Sequence, residues 1–228
     1  MNPRRSLRTG ATDKELAEAG LEASEVIFGI GRDAGVPHSS GNPADVMELG
    51  KTIVFDIFPR LPGSYYADIT RTWCIGHAPE HIQAGYAAVM EVHQTVAAMF
   101  DAQRPASAYQ EAACDIFEKH GHATLRSAGG GISSGYIHSL GHGFGLSVHE
   151  SPGMRNKGQG GEAPLPVGTV ITNEPGLYYP DDPRGGWGVR VEDDYWLNPE
   201  TGRFELLTFF DRSLVTVSYT HLTLRRAI

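Results

Sequence analysis

The chain has 228 residues, enough for one domain with a sizeable core or at most two small ones. Its 40% apolar and 20% charged residues are ordinary for a globular protein, and a net charge of −8 argues against nucleic acid as a main partner. No apolar run is long enough to span a membrane, no secretory signal is present, and two cysteines give no disulfide framework, which places the expected compartment in a reducing cytoplasm.

Residues 12–34 read as a helix, with Thr12 as its cap and Glu15 as the other half of a capping box. TIVFDIF (52–58) is a β-rich apolar run with an aspartate inside it. PRLPGS (59–64) reads as a turn and YYADITRTW (65–73) as the returning strand, so the two runs predict a hairpin. Residues 79–101 predict a long amphipathic helix, and a second helix runs from about 107 to 120 and stops at Gly121.

The second half is dense in Gly and Pro. Its short apolar runs, GFGLSVHE, GTVITNEPGLYY, WGVRVEDDYWLN and RFELLTFF, read as short antiparallel strands. Helices early and strands late predict an α+β domain with one curved sheet. Residues 1–216 are taken as one catalytic domain, trimmed at its N-terminus. The tail at 217–228 (VSYTHLTLRRAI) has neither periodicity nor cap, and reads as a translated sequencing adapter rather than native chain.

Asp56 lies among Val54, Phe55, Ile57 and Phe58, where a carboxylate is costly unless partnered. A tight hairpin could bring Asp68 beside it, and two adjacent buried carboxylates demand a proton or a cation between them. Taken singly, Asp68 could equally pair with Arg71, and Asp56 could cap a turn. HSLGHGFGLSVHE carries His138, His142 and His149 in one Gly-rich segment. His142 and His149 would face opposite sides of a regular strand, but the glycines break that regularity. Glu174 precedes Pro175-Gly176, and Glu192 follows Arg190 by two residues, on the same strand face. Glu192 alone could be solvent-side polarity in an alternating strand.

As a set, four carboxylates and one imidazole make an oxygen-rich ligand field that suits Mn, Fe or Co as well as Zn. Four carboxylates exceed the needs of one divalent ion, so two neighbouring ions fit better. The sequence has no H-E-x-x-H and no phosphate-cradling glycine loop with Lys.

From about Thr12 to Leu207 the chain resembles the pita-bread-fold metallopeptidases, within them the proline-specific branch of aminopeptidase P, prolidase and the related creatinases. VFDIFP…ADITRTW, HSLGHGFGLSVHE, ITNEPGLYY and GVRVEDDY carry the resemblance, in the family's order. It implies a curved antiparallel sheet flanked by helices, and two divalent metals, manganese first, with Co, Zn or Fe as alternatives. It makes Asp56, Asp68, His142, Glu174 and Glu192 the metal ligands. Glu174 is also implied as the base, His149 as the group that contacts substrate and stabilises the tetrahedral intermediate, and His38 as the histidine near the substrate's N-terminal side. His138 is implied as a catalytic and substrate-contacting residue typical of the proline-specific branch, and Arg190 as the arginine that orients the acidic ligands.

The implied reaction is hydrolysis of the Xaa-Pro bond by a hydroxide bridging two metals, at peptide N-termini or in dipeptides. The implied partner is a peptide with proline after its first residue, with a homodimer in the full-length protein and neither nucleic acid nor membrane. The chain departs from the pattern in a loop one residue longer between the aspartates, and in lacking the separate N-terminal domain of the proline-specific members. The competing readings are a creatinase-like amidinohydrolase, a methionine aminopeptidase (which His138 disfavours) and a non-catalytic peptide-binding module.

Overall fold

The structure, a computed structural model, describes residues 26–60 and 64–215. Among the described residues the first element is a strand, β1 (Val26–Ile30), followed by a 3-10 turn at Asp33–Gly35. This corrects the helix expected over 12–34 for its second half. The capping box and the rest of that helix lie outside the described residues. The reason is local: Val26, Ile27, Phe28 and Ile30 are β-branched or aromatic, and they pair antiparallel with the next strand along their whole length.

β2 (Thr52–Ile57) and β3 (Ile69–Cys74) form the expected hairpin, with Asp56 opposite Thr70. β3 starts later than the sequence suggested. The segment before it is held by other contacts: Tyr66 N–H donates to Gly145 O (2.9 Å) and Asp68 N–H to Asp194 Oδ2 (3.3 Å). Two helices follow, α1 (Glu80–Met99) and α2 (Ala106–Lys119), each preceded by a proline whose fixed φ suits a helix start. α1 buries Ile82, Tyr86, Val89, Val92 and Val96, one stripe at helical spacing. Gly85 belongs to that stripe because an added Cβ would come within 2.7 Å of the Trp187 ring.

The remaining strands are β4 (Gly141–Gly143), β5 (Glu150–Met154), β6 (Val170–Asn173), β7 (Gly176–Tyr179), β8 (Trp187–Arg190), β9 (Asp193–Leu197) and β10 (Phe204–Leu206). They form an antiparallel ladder β10-β9-β6-β4-β5 and a β7-β8 pair, beside the β1-β2-β3 sheet. The expected single curved surface is thus divided into three ladders. Cross-links join them, among them Glu192 N–H to Thr70 O (3.1 Å). GFGLSVHE is not a strand: β4 ends at its first residue and β5 begins at its last. Between them the chain turns tightly, with Gly145 N–H on Ser147 O (3.0 Å) and Ser147 N–H on Glu150 Oε2 (3.1 Å).

α1 and α2 pack on the strands through one core that includes Val89, Val92, Phe117, Leu140, Leu177 and Val189, all nearly inaccessible to water. Burial of that apolar surface is what holds the short, twisted strands in register. The domain end expected at residue 216 and the 217–228 tail both lie outside the described residues.

Candidate metal centre

Five strand ends converge on one cavity of about 1400 Å³. β2 delivers Asp56, and Asp68 stands just before β3. β4 carries His142. Glu174 sits in the link between β6 and β7, where its N–H donates to Leu140 O (2.9 Å). Glu192 sits in the link between β8 and β9. His38, His138, His149 and Arg190 line the same cavity, so all nine candidate residues are brought together.

One ligand atom each from Asp68, His142 and Glu192 lies within 4.8 Å of the others. His142 Nε2 is 3.2 Å from Glu174 Oε1 and 3.8 Å from Asp68 Oδ2. His142 can stand here because its neighbour is glycine: a Cβ on Gly141 would overlap the Thr172 carbonyl across the ladder. His142 Nδ1–H donates to Gly143 O (3.1 Å), which turns Nε2 toward the carboxylates.

The electrostatics are those of a site short of positive charge. Asp56, Asp68 and Glu192 are each less than a tenth exposed. Burial raises all three carboxyls, with repulsion from neighbouring carboxylates, Glu174 among them, adding to it: Asp68 and Glu192 well above the ordinary range, Asp56 less because Arg190 opposes the rise. Asp194, behind Asp68, is raised by burial to about 7. Glu174 goes the other way. Burial pushes it up, but the hydrogen bond and charge of His142 prevail and hold it at about 2. His142 responds in kind: burial works to lower it, and Glu174 raises it.

Arg190 is the permanent cation of this group, and it makes four hydrogen bonds. Its Nη2 donates to Asp56 Oδ2 (2.7 Å), its Nε to Thr70 Oγ1 (3.0 Å), and its Nη1 to Tyr178 Oη (2.7 Å) and Pro37 O (3.1 Å). Asp56 Oδ1 and Asp68 Oδ1 are buried with no hydrogen-bond partner. Two orphaned carboxylate oxygens beside an imidazole nitrogen turned toward them are the donor set a hard divalent cation satisfies, so the residues fit metal ions.

The two alternatives open for the aspartates do not occur. Arg71 pairs with Asp193 (2.7 Å), not with Asp68, and Asp56 takes Arg190 as its partner. His142 and His149 share a side, with ring centroids 4.1 Å apart, because the chain turns between them. His149 is exposed at the cavity mouth, and burial together with the His142 charge keeps it below the usual histidine value. His138 Nδ1 lies 2.7 Å from Ser139 O and must donate there, since a carbonyl only accepts. Burial lowers its pKa, so the ring is neutral, and its Nε2 accepts from Tyr178 Oη (2.9 Å).

Three contributors escaped sequence reasoning. Tyr178 links Arg190 to His138. Thr70 donates to Glu192 Oε2 (2.7 Å). Thr172 accepts from His142 N–H (3.1 Å) and donates to Glu174 Oε1 (3.2 Å). Only spacing could have flagged the threonines: each lies two residues from an acid, Thr70 from Asp68 and Thr172 from Glu174, the offset that returns to one face of a strand.

A family model, Metallopeptidase family M24, matches residues 5–199. A probable dipeptidase PepE of Mycobacterium tuberculosis is 32% identical over 181 residues, covering 78% of this chain and 43% of that protein. An Xaa-Pro dipeptidase of Pyrococcus furiosus is 32% identical over 171 residues, covering 75% and 44%. Among solved structures, an X-Pro aminopeptidase from Thermotoga maritima superposes with a TM-score of 0.75 at 28% identity, over 90% of this chain and 53% of its own. A prolidase from Pyrococcus horikoshii gives 0.74 at 29%, over 89% and 53%. The fold is therefore the α+β pita-bread fold of these peptidases, and the chain spans about half the length of the relatives it matches.

Proposed function

The chain belongs to metallopeptidase family M24, and on that footing we propose that it hydrolyses Xaa-Pro peptide bonds with divalent metal ions held by Asp56, Asp68, His142, Glu174 and Glu192. The observation that carries the reading is the convergence of four acids and one histidine on a single cavity, with two buried carboxylate oxygens unpartnered. The related dipeptidases and the X-Pro aminopeptidase support the substrate class.

Two divalent ions, manganese first, would lower the pKa of a bound water and polarise the scissile carbonyl. The protein's own groups do the rest. Glu174 takes the water's proton and delivers it to the imino nitrogen of the leaving proline. His149, neutral and beside His142, donates a hydrogen bond to the oxyanion. Arg190 holds Asp56 in place and, through Pro37 O, ties the His38 loop to the same point. His38 faces the substrate's N-terminal side. Both His138 nitrogens are already bonded, so its ring acts as a fixed wall against the substrate. Proline offers no N–H and has its φ fixed, so a rigid wall shaped to the ring can select it.

Among the described residues, no helix is long and apolar enough to cross a membrane, and Cys74 and Cys114 are both free. We place the protein in the cytoplasm, with full-length chains pairing as a homodimer.

The test is metal analysis of the purified protein with a substrate panel: Xaa-Pro and Xaa-Ala dipeptides, longer Xaa-Pro peptides, methionyl peptides and creatine. Bound metal and a preference for Xaa-Pro are expected. Preference for methionyl peptides or creatine would reassign the substrate, and stoichiometric peptide binding without turnover would leave a binding module.

A further inference from the structure

Glu192 is held at both ends by two consecutive residues of β3. Thr70 and Arg71 are buried, as is Glu192. The Thr70 hydroxyl lies between Arg190 Nε (3.0 Å) and Glu192 Oε2 (2.7 Å). A guanidinium has no acceptor, so Thr70 must accept there and use its single proton on the carboxylate side. That proton points the remaining lone pairs of Glu192 into the cavity.

Arg71 holds the main chain beneath. Nη1 donates to Glu192 O (2.6 Å) and Thr70 O (2.8 Å), Nη2 to Asp193 Oδ1 (2.7 Å) and Phe210 O (3.1 Å), and Nε to Asp211 O (3.1 Å). All five N–H groups of the guanidinium are thereby used. Thr70 O also accepts the Glu192 N–H (3.1 Å). The backbone of Glu192 is thus bonded through its N–H and its C=O to residues 70 and 71, and its carboxylate to residue 70.

We propose that Thr70 is a positioning residue for the Glu192 carboxylate, and that Arg71 fixes the main chain that presents it. The proposal rests on the reading of Glu192 as a metal ligand. Neither residue touches substrate. Their work is to hold one carboxylate at a fixed height and rotation, so that metal binding does not have to order it.

The experiment titrates Mn2+ into the folded protein and reads the free ion by electron paramagnetic resonance, beside melting curves in chelator. Thr70→Val keeps shape and strand propensity but removes the hydroxyl, and is expected to weaken Mn2+ binding about 10–100-fold. Thr70→Ser restores the hydroxyl and is expected to recover the affinity. Arg71→Lys keeps the charge, gives up the planar fork, and is expected to weaken Mn2+ in the same direction. A purely structural role would lower the melting temperature in chelator and leave Mn2+ affinity unchanged. Wild-type affinity in either folded variant, Thr70→Val or Arg71→Lys, overturns the proposal. Glu192→Gln is the control. Loss of Mn2+ there with full retention in Thr70→Val refutes the positioning role alone, whereas retention in both refutes the metal assignment beneath it.

Discussion

Asp68→Asn should raise the stability of the metal-free protein while removing its response to metal. Asp68 is 3% exposed, its Oδ1 has no partner, and its nearest cation is His142 at 3.8 Å. Burial, then the charges of Asp56, Glu174 and Asp194, opposes its ionisation. Each pKa unit by which the site raises this carboxyl costs about 1.4 kcal/mol once it is ionised, and the amide, though still a buried polar group, carries no charge to repel. For a domain of this size each kcal/mol moves the melting point about 2–4 °C, so each unit relieved should raise the melting point of the variant by about 3–6 °C in chelator. The sign with pH is fixed. A carboxyl raised in the folded state costs stability as pH rises above its unfolded value of about 3.9, so the gap should widen from pH 5.5 to pH 8. With Mn2+ at about 100 times its dissociation constant, wild type should gain about 2.7 kcal/mol and the variant little. Calorimetry with and without Mn2+ reads both effects, and cleavage of an Xaa-Pro dipeptide should be lost. A variant that melts below wild type in chelator at pH 8, or that keeps the Mn2+ increment, would refute the reasoning.

Three further outcomes follow from the same geometry. Arg190→Met leaves Asp56 buried without its counter-charge and should cost about 3–5 kcal/mol, read by chemical denaturation in chelator; added metal should return part of that loss. His138→Ala should slow Xaa-Pro cleavage more than it weakens metal binding, because both ring nitrogens serve the cavity wall rather than the ligands; an equal loss of bound metal would contradict that role. Metal binding should release protons and tighten as pH rises from 5 to 8, since the raised Asp68 and Glu192 carboxyls must give up protons to bind it; calorimetric titration in buffers of different ionisation enthalpy measures the release, and a pH-independent affinity would contradict it.

The site was more legible in the sequence than the elements that carry it. Asp56 stands out because an acid inside VFDIF breaks an apolar run, and His142 and His149 because histidines cluster among glycines. These are chemical anomalies that survive any error in secondary structure. The elements are set by weaker preferences. Residues 26–30 fall within the helix expected over 12–34, although VIFGI favours a strand; pairing with β2 decides between the two. GFGLSVHE had the composition of a strand, yet its glycines permit the tight turn that brings His149 onto His142. Thr70, Thr172 and Tyr178 were invisible for a different reason. Hydroxyls are common, and what distinguishes these three is the partner across the fold, as with Thr70 and Glu192, 122 residues apart.

Two arginines with opposite duties explain how such a cluster can be folded around at all. Arg190 enters the cavity and answers Asp56 directly, so it offsets part of the repulsion that metal ions would otherwise have to offset alone. Arg71 stays outside, one strand position away. It spends its charge on Asp193, which also binds Arg212 and His93. Asp193 is held below the ordinary range: burial opposes that, and His93 and Arg71 overcome it. Adjacent acids thus have opposite fates. Asp193 is neutralised within the protein and locks β9 to β3 and to the segment after β10, whereas Glu192 is left without a cation of its own and faces the cavity. Moving one more cation inward would stabilise the empty fold but occupy the position a metal ion needs. A fold that left both acids unpaired would lose the support that keeps Glu192 in place. The arrangement therefore stores its instability at the metal centre and its rigidity one residue behind it.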